Sequence, residues 1–221
     1  MSGRRGRGRA GQEPVDGEQI TRAAARLFRR NGYDSTTMQD IASDLGILKG
    51  SLYHHITSKE ELLIDMLSRS VGAFIGAVRE ISASEDRPEA KLRKLIRAEI
   101  LSMLMSQEEI LVWLAERGRH PAVSQTIDPQ ARQANRVLRE VLEHGASQGE
   151  WPAADLSLAY LAIRGMITAV PTWYRPNGRY SPEQIAERLS EYSLRLLGAS
   201  PGAVRQRPRN DEQRAGPGSQ A

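Results

Sequence analysis

The stretch that decides the fold runs from Thr36 to Leu62 and reads TTMQDIASDLGILKGSLYHHITSKEEL. Behind its threonine pair, apolar residues recur at helical spacing: Met38, Ile41, Ala42 and Leu45. Gly46 then permits a tight turn, because glycine adopts backbone angles that other residues resist. A second short helix is predicted from about Leu48 to His55. Two short helices joined by a glycine-bearing turn predict a helix-turn-helix.

Two capping patterns mark helix starts in this stretch. Thr36 lies three residues before Gln39, and Ser58 lies three residues before Glu61. In a capping box, the hydroxyl and the later side chain each satisfy a backbone N–H group at the start of a helix. We therefore expect one helix to begin after Thr36 and a third, longer helix to begin at Ser58.

The second helix of the motif has the chemistry of a DNA-reading element. Hydrogen-bond donors and an aromatic side chain surround its apolar residues Leu52 and Ile56: Lys49, Ser51, Tyr53, His54 and His55. Such groups suit a helix that lies in the major groove and contacts base edges and phosphates. The alternative is a plain helical hairpin whose polar face is only solvated.

Residues 32–63 resemble the TetR family of transcriptional regulators. The matching letters are G-Y-x-S-T-T-M-x-D-I-A, then L-G-I-x-K-G-S-L-Y-H-H, then S-K-E-E-L-L, without a gap. Ile56 departs from the family, which often has phenylalanine there, but it is still apolar. The resemblance implies a homodimeric repressor that binds a palindromic operator in double-stranded DNA and is released by a small effector.

The resemblance also implies which residues contact the operator. Thr37 and Lys59 would contact phosphates at the starts of the second and fourth helices, and Gly50 would let the reading helix approach the DNA. The other contacts would come from the reading helix: Lys49 and Ser51 to base edges, Tyr53 and His55 to phosphates, and His54 near the groove floor or the backbone. Whether Lys49 reads a base or a phosphate stays open.

The amino-acid composition excludes several classes of protein. The chain of 221 residues contains no cysteine, which excludes disulfides, thiolate zinc sites and cysteine nucleophiles. No apolar run reaches the length of a membrane span, and the N-terminus lacks the apolar core of a signal peptide. We therefore expect a cytoplasmic protein without a membrane partner.

The net charge of +4 is concentrated at the two ends of the chain. Residues 1–14 contribute +3 and residues 200–221 contribute +2, which leaves −1 for the body between them. We expect residues 1–14 to be a disordered basic arm, because this segment is rich in glycine and arginine and has no apolar residues to bury. We expect residues 200–221 to be a disordered tail, because that segment is rich in proline, glycine and arginine. The arm either follows the DNA or is merely solvated, and both interpretations stay open.

Two short matches to functional motifs lack the secondary structure that those motifs require. Residues 6–11 fit G-x-G-x-x-G, but no strand precedes them. Residues 145–149 fit the G-x-S-x-G nucleophile elbow, but a helix predicted from about Pro129 to Gly145 leads into them, with Gly145 as its C-terminal cap. The four histidines lack the spacing of metal ligands. We therefore expect no enzyme, no cofactor and no metal site.

Beyond the helix-turn-helix the sequence predicts a larger helical body. About nine helices and no convincing strand predict an all-α fold, and the helix that opens at Ser58 continues its apolar stripe to Val78. The first helix, from about Asp16 to Asn31, should pack behind the helix-turn-helix. The predicted domains are a helix-turn-helix DNA-binding domain, residues 15–62, and a ligand-binding and dimerisation domain, residues 63–199.

The segment from Asp155 to about Val170 is apolar on nearly all sides, so we expect burial on nearly all sides. Its small residues would let another helix approach closely: Ala159, Ala162, Gly165 and Ala169. In TetR-like proteins the last two helices pair with their copies as a four-helix bundle. The resemblance thus implies a homodimer interface that also uses the last helix, at Ile185, Leu189 and Tyr192. Packing within one subunit is the alternative.

Residues 173–182 resemble the C-terminal part of TetR-type regulators of fatty-acid and steroid catabolism, which sense acyl-CoA thioesters. Such an effector needs an apolar slot for its acyl group and arginines for its phosphates. The apolar candidates are Met103, Trp113, Ile163, Ile167 and Trp173, and the cationic candidates are Arg164, Arg175 and Arg179. The alternatives are an Arg164 paired with a glutamate, another hydrophobic or aromatic effector, or a DNA-binding protein with no effector.

Overall fold

Nine α-helices and no strand occupy the parts of the chain that the computed structural model describes, residues 15–152 and 155–199. The helices are α1 (Gly17–Asn31), α2 (Met38–Asp44), α3 (Lys49–Tyr53), α4 (Lys59–Ala83), α5 (Pro88–Met105), α6 (Gln107–Glu116), α7 (Pro121–Ser147), α8 (Leu156–Trp173) and α9 (Pro182–Leu196). The prediction of an all-α fold is confirmed. The predicted basic arm, residues 1–14, and the predicted tail, residues 200–221, lie outside the described residues.

Helices α1, α2 and α3 enclose a small core with the first turns of α4. Its fully buried side chains include Ile20, Ala23, Ala24, Ile41, Leu52, Leu62, Leu63 and Leu67. Val112 of α6 and Val123 and Ile127 of α7 complete this core. Asp16 caps α1, since its carboxylate accepts from the Gln19 N–H at 2.7 Å and the Gln19 amide oxygen accepts from the Asp16 N–H at 3.1 Å. The apolar face of α1 thus fixes the position of the two helices that follow it.

The capping box predicted at the start of α2 is wrong by one residue. Thr37 is the N-cap: its hydroxyl accepts from the Asp40 N–H at 3.2 Å, and the Asp40 carboxylate accepts from the Thr37 N–H at 2.8 Å. These bonds to Thr37 lower the pKa of Asp40. Thr36 is instead fully buried, and its hydroxyl donates to the Gly32 carbonyl at 2.8 Å. Thr36 therefore closes the α1–α2 turn rather than capping α2.

The box predicted at α4 forms only in part. The Ser58 hydroxyl accepts from the Glu61 N–H at 3.0 Å, as expected. The Glu61 carboxylate, however, accepts from the Thr57 N–H at 2.9 Å rather than from Ser58. Hydrogen bonds from Thr57 lower the pKa of Glu61. The start of α4 is therefore fastened to the loop that leaves α3.

Helix α4 belongs to two cores. Its first turns pack in the helix-turn-helix, while Ile75 and Val78 pack with α5, α7 and α8 in the core of the body. Val71 touches both cores. The largest part of the body core is aliphatic: Leu92, Ile96, Ile100, Leu138, Leu142, Ile163, Ile167, Val170 and Leu197. A displacement of α4 would thus change the packing of both cores.

Helix α7 begins eight residues earlier than the predicted start at Pro129, because Pro121 occupies its first turn. Proline suits that position, where the helix has no use for its missing N–H group. Pro129 lies inside the helix. Gly145 is not a cap, since α7 continues to Ser147 and the indole ring of Trp151 packs against the bare Cα of Gly145.

The prediction that α8 is buried on nearly all sides is wrong for the single chain. Ile163, Ile167 and Val170 are buried in the body core. Leu158 and Leu161, on the opposite side, are 63% and 61% exposed. The helix therefore has one face in the core and a second apolar face in solvent.

One carboxylate at the start of α6 opposes folding at neutral pH. Burial raises the pKa of Glu109, and the neighbouring charge of Glu108 raises it further. A raised pKa in the folded state means that stability is lost as the pH rises past the ordinary glutamate pKa. Glu109→Gln should therefore raise the melting temperature at pH 7 by a few degrees, and the gain should vanish at pH 4 or below.

Thermal unfolding of both proteins across this pH range measures that effect. The matched control is Glu80→Gln on exposed α4 surface, where no gain is expected. A Glu109→Gln gain that persists undiminished into acid would contradict the assignment to this carboxylate.

Candidate nucleic-acid interface and effector cavity

Helix α3 presents an exposed polar surface on a rigid anchor. Leu52 is fully buried, and the residues around it are exposed: Leu48, Lys49, Gly50, Ser51, Tyr53, His54 and His55. The helix ends at Tyr53, so His54 and His55 lie in the following turn rather than on the helix as predicted. Helix α3 and this turn are called the reading face below.

The cationic group of the reading face is Lys49. Its ammonium lies 5.7 Å from the centre of the Tyr53 ring, and it forms no ion pair with any part of the chain that the structure describes. A side chain added at Gly50 would meet nothing within 4 Å, so Gly50 leaves room for a close approach of a ligand. The face can therefore offer an ammonium, hydroxyls and imidazoles to a polyanion.

Lys59 has an internal position. Its ammonium donates to the carbonyls of Tyr33, Thr36 and Asp34 at 2.8, 3.0 and 3.2 Å. It also lies 4.3 Å from the centre of the Tyr33 ring. These contacts fasten α4 to the α1–α2 turn and occupy the three N–H donors. The predicted phosphate contact of Lys59 would have to share a donor already in use.

Thr37 and Lys59 flank the same turn. Thr37 is exposed, and its hydroxyl donates to the Asp40 carboxylate at 2.7 Å while it caps α2. Burial raises the pKa of Tyr33 to about 12, with nearby carboxylates adding to the effect. Tyr33 therefore stays neutral and serves as a packing group under the turn.

The body also touches this turn through the end of α6. The Tyr33 ring packs edge-on against His120 with ring centres 4.5 Å apart, and Arg119 pairs with Asp34 at 3.2 Å. The His120 imidazole is 3.1 Å from the Glu116 carboxylate, which is buried. The α6–α7 turn thus holds the helix-turn-helix against the body.

A small cavity lies between helices α4 to α8. Its volume is about 60 Å³, and its apolar lining is Val71, Phe74, Met103, Ile110, Trp113, Ala131 and Ala134. Three of the predicted effector contacts meet there, namely Met103, Trp113 and Arg164. Ile163 and Ile167 do not line it, because both point into the body core. The cavity therefore brings together three of the predicted residues and leaves out Ile163 and Ile167.

Trp173 and Arg175 do not line this cavity. Trp173 is exposed at the end of α8, and the Arg175 guanidinium donates to the Tyr174 carbonyl at 2.9 Å. The guanidinium of Arg179 lies 5.2 Å from the centre of the Tyr180 ring. These groups sit on the surface of the α8–α9 connection, outside the cavity that Arg164 reaches.

Arg164 is paired with a glutamate, the alternative that the sequence left open. Its Nη1 lies 2.6 Å from both carboxylate oxygens of Glu99, and both side chains are largely buried. An ion pair removed from water stays stable only while both partners remain. Arg164 is therefore a neutralised group at the cavity wall. Sequence reasoning missed Glu99, which is 65 residues away.

A second depression, on the surface of the body, has a mainly acidic lining. It has a volume of about 650 Å³ and lies where α5 meets the end of α7. Its walls include four carboxylates: Glu85, Asp86, Glu89 and Glu150. Arg87 and His144 also line the depression, but the carboxylates outnumber them, so the lining as a whole is unfavourable for a phosphate.

The predicted dimer residues divide into two groups. Ala162, Gly165 and Ala169 are exposed on α8, and Tyr192 is exposed on α9. Ala159 and Ile185 are buried within the single chain, and Leu189 is partly buried against the same core, so these three have little surface left for a partner. The exposed apolar face, called the α8–α9 face below, consists of Leu158, Leu161, Ala162, Gly165, Ala169, Trp173, Tyr192 and Leu196.

The G-x-S-x-G match has no elbow geometry. Ser147 is the last residue of α7, and its hydroxyl donates to the His144 carbonyl at 2.7 Å. Within residues 15–152 and 155–199, no three potential metal ligands cluster. No helix in the same part of the chain is long and apolar enough to cross a bilayer.

Two family models match the chain. Residues 20–66 match bacterial regulatory proteins of the tetR family, and residues 85–197 match the tetracyclin repressor-like C-terminal domain. The HTH-type transcriptional repressor KstR2 of Mycobacterium tuberculosis is 30% identical over 193 residues, which span 86% of this chain and 94% of the relative. The fatty acid metabolism regulator protein of Bacillus subtilis is 27% identical and covers 78% of this chain and 91% of its own length.

Solved structures show the same similarity. The ketosteroid transcriptional regulator KstR2 of Mycobacterium tuberculosis superposes with a TM-score of 0.73 at 30% identity, covering 86% of this chain and 96% of that one. AibR in complex with isovaleryl coenzyme A and operator DNA superposes with a TM-score of 0.70 at 27% identity, covering 83% of this chain and 99% of that one.

Proposed function

Since the chain belongs to the TetR family of bacterial transcriptional regulators, we propose that it is a repressor that binds a palindromic operator as a homodimer and is released by an acyl-CoA thioester. The observation that carries the proposal is the reading face. Lys49, Ser51 and Tyr53 project from a helix whose only buried residue is Leu52. A short helix anchored on one side and polar on the other suits insertion into the major groove.

The homodimer is supported by the α8–α9 face. Monomeric soluble proteins seldom leave a contiguous apolar patch of this kind in water. A two-fold axis would place the same face of a second copy against it, and the small residues Ala162, Gly165 and Ala169 would let the helices approach closely. Two copies of α3 would then meet two half-sites of one operator.

The effector is proposed from the cavity and from the relatives. AibR was solved with isovaleryl coenzyme A, KstR2 is described as a ketosteroid regulator, and a further relative regulates fatty acid metabolism. The apolar walls around Met103 and Trp113 suit an acyl group. Arg164 is the cation nearest to that group, and it would meet an effector oxygen by sharing or leaving Glu99. Residues of the α8–α9 connection remain proposed contacts for the coenzyme A phosphates, through Arg175 and Arg179.

The cavity of about 60 Å³ is much smaller than the roughly 300–1,000 Å³ of typical ligand pockets, so an effector must widen it. Helix α6 gives this widening a route to the DNA. Ile110 and Trp113 line the cavity, while Glu116 and the adjoining Arg119 and His120 hold the α1–α2 turn. An effector that binds the widened state better shifts the population toward it and repositions the reading helices.

Another hydrophobic or aromatic effector is the second candidate, because the cavity walls are largely apolar. Native mass spectrometry of the purified protein identifies a co-purified molecule. Release of labelled operator by an acyl-CoA, but not by coenzyme A or by the matching carboxylic acid alone, supports the thioester. Release by apolar compounds without coenzyme A supports the second candidate and contradicts the first.

Lys49→Ala tests the reading face. If Lys49 contacts a phosphate, the substitution should reduce the salt dependence of operator binding by about one unit of slope. If it contacts a base, binding should weaken by about 1–3 kcal/mol and sequence selectivity should relax. Fluorescence anisotropy at several salt concentrations separates the two results. Lys91→Ala, on α5, removes the same charge from the body and should leave affinity unchanged; equal affinities for all three proteins would remove Lys49 from the site.

A further inference from the structure

Leu48 is an exposed leucine that the fold of the single chain does not use. Its side chain is 78% exposed, directly before the first residue of α3. Leucine exposes apolar surface to water at this position and gains no contact in return. The packing of the single chain therefore gives no reason for a leucine at this position.

The position also calls for a different residue type. Leu48 is the N-cap of α3, where serine, threonine, aspartate or asparagine would accept a hydrogen bond from the helix. The neighbouring helices α1, α2 and α4 have such caps, from Asp16, Thr37 and Ser58. Helix α3 has none. Among the first four helices, only α3, which carries the reading face, lacks a side-chain cap, although α5, α6 and α7 lack one as well.

Its neighbours indicate what Leu48 would touch. The side chain borders Lys49 and lies within one helical turn of Ser51, and both of these offer donors to base edges. Among the base edges of the major groove, the methyl group of thymine is the one apolar feature. A leucine can neither donate nor accept a hydrogen bond, so it distinguishes bases only by such a contact.

We propose that Leu48 packs against the C5 methyl group of a thymine in each operator half-site and so selects a T·A pair there. This inference rests on the proposed DNA-reading role of α3. It adds a specificity-determining residue that donates no hydrogen bond, next to Lys49 and Ser51.

The test removes the methyl group from the DNA and the side chain from the protein. An operator obtained by selection from a random DNA library is synthesised with each thymine of the half-site replaced, one at a time, by deoxyuridine. Uracil keeps the base-pairing groups of thymine and lacks only its methyl. Affinities are measured by anisotropy for the unsubstituted protein, for Leu48→Ala and for Leu48→Met.

At the thymine that Leu48 contacts, replacement by deoxyuridine should weaken binding of the unsubstituted protein by about fourfold for each half-site. This is the loss expected for one buried methyl group. Leu48→Ala should bind the thymine operator and the deoxyuridine operator with equal affinity, because this variant has already lost the contact. Leu48→Met keeps an apolar side chain of similar volume and should retain most of the effect.

Two results overturn the role of Leu48. The first is a scan in which no deoxyuridine affects the unsubstituted protein, and the second is a methyl effect of equal size in Leu48→Ala. If Leu48 contacts a sugar ring instead, no deoxyuridine affects the unsubstituted protein, which is the first result. Leu48→Ala then weakens binding to the same extent whether or not the methyl group is present. Selection that enriches no DNA at all contradicts the proposed function itself, whereas operator binding without methyl dependence leaves that function intact.

Discussion

Gly145→Ala should destabilise the protein strongly. A Cβ atom at Gly145 would lie 1.8 Å from Cζ2 of Trp151 and 2.3 Å from two further ring atoms. The ring has little freedom to retreat, since Trp151 is fully buried and its indole N–H donates to the Leu142 carbonyl at 2.9 Å. Overpacking of this kind costs about 1–3 kcal/mol, and we expect the upper end of that range or more.

Urea unfolding measures this loss as a lower midpoint at an unchanged slope. Gly76→Ala is the matched control, because it lies in helix α4 with open space around the added atom. It should stabilise the protein by about 0.5–1 kcal/mol. In a Trp151→Leu background, Gly145→Ala should lower the urea midpoint by a smaller amount. Equal midpoints for Gly145→Ala and Gly76→Ala would contradict the packing account.

Gly165→Leu should convert the proposed dimer to a monomer without unfolding the chain. In the single chain a Cβ at Gly165 meets nothing within 4 Å, so leucine is accommodated there. In the proposed dimer the α8 helices approach at this position, and overpacking costs about 1–3 kcal/mol at each of two symmetry-related copies. Each 1.4 kcal/mol weakens dimerisation about tenfold. A monomer has one reading helix and loses the second half-site.

Sedimentation velocity of the variant and of the unsubstituted protein tests this expectation. Gly72→Leu, on an exposed and open position of α4, is the matched control and should remain dimeric. A Gly165→Leu protein that stays dimeric would move the interface away from this part of the α8–α9 face.

The helix-turn-helix could be predicted almost completely because its sequence pattern is local. The spacing of Met38, Ile41 and Leu45 around Gly46 specifies two helices and a turn within a short stretch. The resemblance of residues 32–63 to the TetR family is confirmed by the family models. The cap of α2 was misplaced because Thr36–Gln39 and Thr37–Asp40 fit the same pattern, and only the burial of Thr36 distinguishes them.

Most errors elsewhere concern side-chain packing that the local sequence pattern does not specify. The sequence does not reveal that Trp151 packs on Gly145 or that Glu99 pairs with Arg164 across two helices. The sequence predicts the start of α7 near Pro129, but Pro121 also suits the first turn of a helix, and α7 begins there. The sequence shows that α8 is apolar on nearly all sides. It does not show which of these sides packs in the core of the single chain and which is left exposed.

The most direct measurement is selection of bound sequences from a random DNA library, followed by footprinting of the enriched DNA with the full chain. A symmetric dimer with one reading helix in each copy predicts an inverted repeat, with half-site centres about 10 base pairs apart or a multiple of that distance. Protection should cover both half-sites together. An enriched sequence with a single half-site, a direct repeat or no repeat at all would contradict the symmetric operator-binding dimer.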